Sequence, residues 1–150
     1  KAGFIHRDVC PRNFIATPDC TGLKLFDFGL SLPDEPAFHQ PGNRTGTPFY
    51  MAPEIVRRRK TDHRVDIFAM GVSFYQLLTF ELPWPSNDAS GLAALSHDTL
   101  APTPILEYKP KLHPKLVEAI MLCMSVSPND RPKSTDQFLQ MITDVDSAMV

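Results

Sequence analysis

The densest apolar run of the chain, "VDIFAMGVSFYQLLTF", is hydrophobic on nearly every side of a helical wheel. Such a pattern predicts a central helix over Val65 to Leu78 with packing neighbours in several directions. Asp66 near its start and Gln76 inside it leave it short of the roughly 18 uninterrupted apolar residues that a membrane span needs. Farther on, "HPKLVEAIMLCM" sets Leu116, Val117, Ile120, Met121 and Met124 on one helical stripe, with Pro114 suited to the first turn. In "KSTDQFLQMITDV", Ser134 and Gln137 have the spacing of a capping box, and Phe138, Met141, Ile142 and Val145 follow on one face. Between these helices and the central one, "LPWPSNDASGLAALSHDTLAPTP" predicts a short helix near Gly91 to His97 in proline-rich surroundings.

The N-terminal part follows another pattern. "FIAT" and "LKLF" are short β-prone runs separated by the turn formers of "PDCTG", which predicts a hairpin with Asn13 just before it and Asp27 just after it. From Gly29 to Tyr50 no period is sustained, and the prolines and glycines predict a long loop of the kind usually kept for function. The expected fold class is α+β, mainly α-helical, with one small hairpin. No internal repeat, low-complexity tract or linker interrupts the chain.

A chain of 150 residues buries roughly 70% of its unfolded surface, enough for one core. Its net charge of −2 gives no long-range attraction to nucleic acid or anionic lipid, so neither is an expected partner. Cys10, Cys20 and Cys123 are odd in number and widely spaced, which signals neither a disulfide framework nor a zinc site and fits a reducing, cytoplasmic setting.

Candidate chemistry concentrates in "HRDVCPRNF". Asp8 and Asn13 on one loop, with Asp27 beyond the hairpin, supply three oxygen-bearing side chains of the type a hard, partly hydrated cation such as magnesium accepts. Isolated Asx residues are commonly turn formers bonded to their own backbone, so the context decides. "HRD" with an asparagine five after Asp8, "DFG" at Asp27 to Gly29 and "APE" at Ala52 to Glu54 occur in this order. Here the chain resembles the eukaryotic-type serine/threonine protein kinases. The resemblance covers essentially all 150 residues: "GTPFYMAPE" is similar to the substrate-docking segment, "VDIFAMGVSFYQLLT" to the central helix, and "NDRP" to the arginine-containing turn near the C-terminal end.

That resemblance implies a protein-kinase-like large lobe over residues 1–150, with the hairpin beside the catalytic loop. It implies transfer of the ATP γ-phosphate, with Mg2+, to serine or threonine hydroxyls of a protein substrate. Asp8 then resembles the catalytic base, Asn13 and Asp27 the magnesium ligands at the nucleotide, and Ile15 the apolar floor beneath the adenine. Thr47 corresponds to a residue that bonds Asp8 and helps hold the substrate site. His6 and Phe28 resemble packing residues that align the loop and the magnesium aspartate. Glu54 and Arg131 correspond to an ion pair tying the docking segment to the C-terminal helices, and Asp66 to a residue that bonds the catalytic-loop backbone. Arg7, preceding Asp8, resembles the arginine that pairs with a phosphorylated activation loop; Thr45 is the nearest candidate acceptor, since Asn43 occupies the position where many relatives carry their phosphate.

The sequence departs from the serine/threonine pattern at Cys10. That position usually holds a lysine whose ammonium approaches the γ-phosphate. Tyrosine kinases lack this lysine and carry an arginine four after the aspartate, where Arg12 stands here, so Arg12 is expected to supply the charge. The alternative is a solvated Arg12 and a pseudokinase-like module that binds partners without efficient transfer. "RRRK", Arg57 to Lys60, reads as a solvated face, a nuclear address or a patch for acidic substrates. The chain starts "KAGFIHRD" without methionine and has no glycine-rich phosphate loop, strand lysine or partner helix glutamate. The resemblance therefore implies an N-terminal lobe upstream as a required partner, inactivity of these residues alone, and an apolar face exposed where that lobe sits.

Overall fold

A computed structural model describes residues 3–19, 21–86 and 93–145. At the centre runs the helix α2 (Arg64–Thr79), which follows the short helix α1 (Pro53–Val56) in the chain. Val65, Ile67, Phe68, Val72 and Tyr75 are all buried although they point in different directions around α2, as a wheel without a polar face requires. Its main neighbours are α4 (Pro114–Cys123), the 3-10 turn at Pro48–Tyr50 and α3 (Ile105–Tyr108), and α5 (Thr135–Met141) packs in turn on α4.

Helix α4 comes unusually close to α2 at Gly71. A Cβ there would lie 2.6 Å from Cys123 Cβ and 3.2 Å from the Ile120 carbonyl oxygen. Gly71→Ala is therefore expected to cost about 1–3 kcal/mol by overpacking, seen as a lower denaturation midpoint at unchanged m-value. An unchanged midpoint would mean that the two helices part freely.

The ends of the C-terminal helices match their sequence signals. Pro114 opens α4, and the His113 ring accepts from Lys115 N at 3.2 Å. At α5, Ser134 Oγ accepts from Gln137 N at 3.1 Å, while the Gln137 side chain reaches one residue beyond the usual capping box to accept from Lys133 N. Along α4 the stripe buries Leu116 and Ile120, and Met124 just past its end, whereas Val117 and Met121 are half-buried at its edge. Phe138 of α5 packs on Phe74 with ring centroids 5.5 Å apart. The helix predicted near Gly91 to His97 is a 3-10 helix over Ala93–Asp98; Gly91 and Leu92 lie outside the described residues. Its buried His97 sits 4.4 Å from the Trp84 ring and donates from Nδ1 to the Met51 carbonyl at 2.7 Å. Burial lowers the pKa of His97, so this imidazole is neutral in the core.

Two antiparallel strand pairs lie toward the N-terminus. The predicted hairpin joins β2 (Phe14–Ala16) to β3 (Leu23–Leu25) in the register Phe14↔Leu25 and Ala16↔Leu23. The other pair joins β1 (Phe4–Ile5) to β4 (Leu32–Pro33) and draws the start of the long loop back beside the chain entering the motif. The rest of that loop holds 3-10 turns at Pro36–Phe38 and Pro48–Tyr50, each opened by a proline. No helix among the described residues is long and apolar enough to cross a membrane.

Candidate active site around Asp8

Four backbone facts bring the motif residues together. Asp66, the third residue of α2, is half-buried and accepts from His6 N at 2.6 Å and Arg7 N at 2.8 Å, pinning the loop to the helix. Burial raises the pKa of Asp66 and the two amide bonds oppose the rise; both amides nevertheless donate to it. Arg7 has φ 70°, a left-handed conformation uncommon outside glycine, and the chain turns there before presenting Asp8. The hairpin register then returns Phe26 N to the Asn13 carbonyl at 3.0 Å, which sets Asp27 beside the loop end that carries Asn13. Asp27 itself has φ 62°.

Asp8 is the hub. Its Oδ1 accepts from the Thr47 hydroxyl at 2.6 Å and from Thr47 N at 2.8 Å, and its Oδ2 accepts from Asn13 Nδ2 at 3.1 Å. Arg12 Nη2 stands 3.5 Å from the same Oδ2 and donates to the Thr47 hydroxyl at 2.8 Å. A continuous relay therefore runs from guanidinium to hydroxyl to carboxylate. Burial alone would raise the Asp8 pKa, but the bonds from Thr47 and Asn13 and the charge of Arg12 hold it below 3.8. A depressed acid stabilises the fold above its unfolded pKa near 3.8, and that contribution is lost as pH falls through the folded value. At neutral pH Asp8 is a carboxylate.

Asn13 also donates to the Asp8 carbonyl at 2.8 Å. Its amide nitrogen is thus spent on Asp8, and among the described residues no bond reaches its Oδ1, which is left as an acceptor. Asp27 is exposed, and its Oδ1 has one long contact, 3.4 Å from Gly29 N. Among the described residues no three His, Cys, Asp or Glu side chains converge to hold a metal unaided. One carboxylate, one amide oxygen and room for further oxygens nonetheless suit magnesium, which commonly takes few protein ligands and completes its shell with water and phosphate.

The remaining predicted residues take supporting positions. The His6 ring accepts from Asp8 N at Nδ1 (3.2 Å), so Nε2 carries the proton that it donates to the Phe26 carbonyl at 2.9 Å. Phe28 meets that ring edge-on at 4.9 Å. Arg7 donates from Nη2 to the Thr45 hydroxyl. Cys10 is buried beneath the relay, its sulfur 4.0 Å from the Thr47 hydroxyl. Glu54 of α1 and Arg131 form a buried bidentate pair at 2.7 and 2.9 Å. Ile15 is exposed on the hairpin, and Leu23, Phe26 and Phe28 are exposed too.

The protein kinase domain family matches residues 1–142. The chain belongs to the protein kinase family.

Relatives of this kinase chain include serine/threonine-protein kinase pkn3 of Myxococcus xanthus, 38% identical over 155 residues, which cover 97% of this chain and 28% of that protein. Tyrosine-protein kinase MasK of Myxococcus xanthus is 37% identical over 137 residues, 89% of this chain and 21% of that protein. The dual specificity mitogen-activated protein kinase kinase jkk-1 of Caenorhabditis elegans is 36% identical over 142 residues, 89% of this chain and 32% of that protein. The chain thus spans about a third or less of the length of these relatives.

Within the kinase chain, sequence reasoning passed over Gly46. It has φ 104°, and a Cβ on it would fall 2.4 Å from the Arg7 carbonyl oxygen, so only a glycine lets the segment carrying Thr47 come this close to the loop. Its signal was its place immediately before Thr47, in a stretch otherwise read as irregular.

Proposed function

We propose that this chain is the large lobe of a protein kinase that transfers the γ-phosphoryl group of magnesium ATP to serine and threonine hydroxyls of protein substrates. The observation that carries the reading is the Asp8 carboxylate, anionic at neutral pH and fixed by Thr47 and Asn13, beside an asparagine and an aspartate that present oxygens. A nucleotide with its magnesium would supply the electrophilic phosphorus and neutralise charge on its oxygens. Asn13 Oδ1 and Asp27 would hold that cation, and Ile15 would line the base. Asp8 orients the incoming hydroxyl and accepts its proton late in transfer. The 150 residues contain no glycine-rich loop or strand lysine for the phosphates, so competence requires a small lobe in addition.

Arg12 takes the task of the absent lysine. Its guanidinium already lies on the relay through Thr47 to Asp8, while 68% of its side chain remains exposed to reach a phosphate oxygen. Arg12→Ala in the full-length kinase is expected to lower kcat by about tenfold or more, less than the roughly 10²–10³ typical of a buried charge-stabilising donor, because solvent screens this one. Turnover at the level of the parent would mark Arg12 as a surface residue. Arg7 stands ready for a phosphate on Thr45, which supports that threonine as a regulatory acceptor. The free, buried Cys10 and Cys123 support a cytoplasmic setting.

Labelled ATP, the full-length chain and analysis of the phosphorylated amino acid test the reading. Phosphoserine or phosphothreonine is the expected product. Phosphotyrosine alone would overturn the substrate class, and no incorporation would favour a binding module, the reading that uncharged Cys10 invites.

A further inference from the structure

Asp34, His39 and His63 meet one another outside the active site. Asp34 follows β4 early in the activation loop, His39 follows the 3-10 turn at Pro36–Phe38, and His63 immediately precedes α2. The two histidines are held differently. Asp34 Oδ1 accepts from His39 Nε2 at 2.8 Å, a bond that a neutral imidazole with one N–H makes in full. His63 stands between two oxygens: Nε2 donates to the Lys133 carbonyl at 2.9 Å, just before α5, and Nδ1 lies 3.0 Å from Asp34 Oδ2.

A carbonyl oxygen only accepts, so the Lys133 contact fixes one proton on Nε2. In a neutral ring, Nδ1 would then turn a bare lone pair toward a carboxylate oxygen 3.0 Å away, and the two would repel. A second proton converts the same contact into an ion pair. Both sides of the ring are therefore attractive together only in the imidazolium form. The other charged groups around the ring are the carboxylates of Asp62 and Asp66, which feel its charge, and the guanidinium of Arg64, which Asp62 grips at 2.6 Å. Solvent reaches the ring, since its side chain is 43% exposed and borders, with Asp34, Asp66, Ser134 and Thr135, a cavity of about 410 Å3. Its protonation therefore follows the pH of the medium.

We propose that His63 is a proton-operated clasp: doubly protonated, it ties the early part of the activation loop to α2 and to the turn before α5, and it releases that tie as pH rises through the titration of the ring. Below that titration the ring holds Asp34 and Lys133 together. Above it, one of the two contacts is given up. The clasp goes beyond the phosphotransfer reading and its test involves no phosphoryl transfer, so either can fail without the other.

The test is hydrogen–deuterium exchange with mass spectrometry on the full-length chain, without nucleotide, at about pH 6 and about pH 8, on either side of the ordinary imidazole range, with labelling times scaled to the chemical exchange rate. Peptides within residues 31–40 report on the loop, and those of α4 serve as the internal reference. Relative to α4, protection of the loop is expected to fall about threefold or more from the lower to the higher pH, a modest change because solvent screens a half-exposed pair. His63→Gln and Asp34→Asn should each remove this pH dependence, because neither leaves an ion pair to break. His39→Gln keeps a neutral donor for Asp34 and should preserve it, and circular dichroism checks that the variants fold. Equal relative protection at the two pH values in the parent, a fall that persists in His63→Gln, or one that vanishes in His39→Gln would overturn the proposal.

Discussion

Asp8→Asn in the full-length kinase is expected to lower kcat by about 10²–10⁴-fold, the contribution of a positioned general base. The geometry makes this substitution informative because Asn keeps one oxygen for the two Thr47 bonds at Oδ1. The other terminus becomes an NH2 that faces two donors, Asn13 Nδ2 and Arg12 Nη2, in place of the carboxylate that accepted from them. The fold has every reason to survive, while the group that would accept the substrate proton is gone. Single-turnover transfer from labelled ATP, beside near-ultraviolet circular dichroism, separates the two effects. Equal transfer by parent and variant would remove Asp8 from its assigned role and with it the reading of the site.

The second large effect is on stability. Arg131 has a fully buried side chain whose guanidinium meets both Glu54 oxygens and the carbonyls of Ser125, Arg64 and Val126. Its head also lies 4.9 Å from the centre of the Phe68 ring. Glu54→Ala strands that cation among carbonyls with no counter-ion and is expected to cost about 3–5 kcal/mol. Arg131→Met strands the carboxylate and should cost a similar amount. The double replacement by apolar residues should cost clearly less than the two singles together, because no unpaired charge then remains. Urea titration of all three variants measures this. Single-variant losses below about 1 kcal/mol would mean that water reaches the pair, contrary to its burial.

Much of this was legible in the sequence, for reasons that differ by element. Helix α2 declared itself because an all-round apolar wheel has few other solutions, and α5 because Ser134 and Gln137 mark its start. The hairpin followed from turn formers between two β-prone runs, and with it the approach of Asp27 to Asn13. The pairing of β1 with β4 was invisible because two-residue strands have no period to read. Gly46 was missed for a related reason: its conformation is dictated by the approach of Arg7, a contact with no trace in the local pattern. The Arg12 relay sits between these cases. The resemblance to tyrosine kinases implied a substitute charge at Arg12, yet the link through Thr47 depends on a segment 35 residues away.

The two bonds made by Asp66 have a further consequence. They are received from main-chain nitrogens, which every residue but proline possesses, so the identities at positions 6 and 7 can drift without loosening the loop's mooring. The other end has no such latitude: an asparagine at 66 would offer one acceptor where two are used, and an alanine none. Freedom to vary is therefore unequally divided across this contact, with the whole constraint resting on one helical side chain.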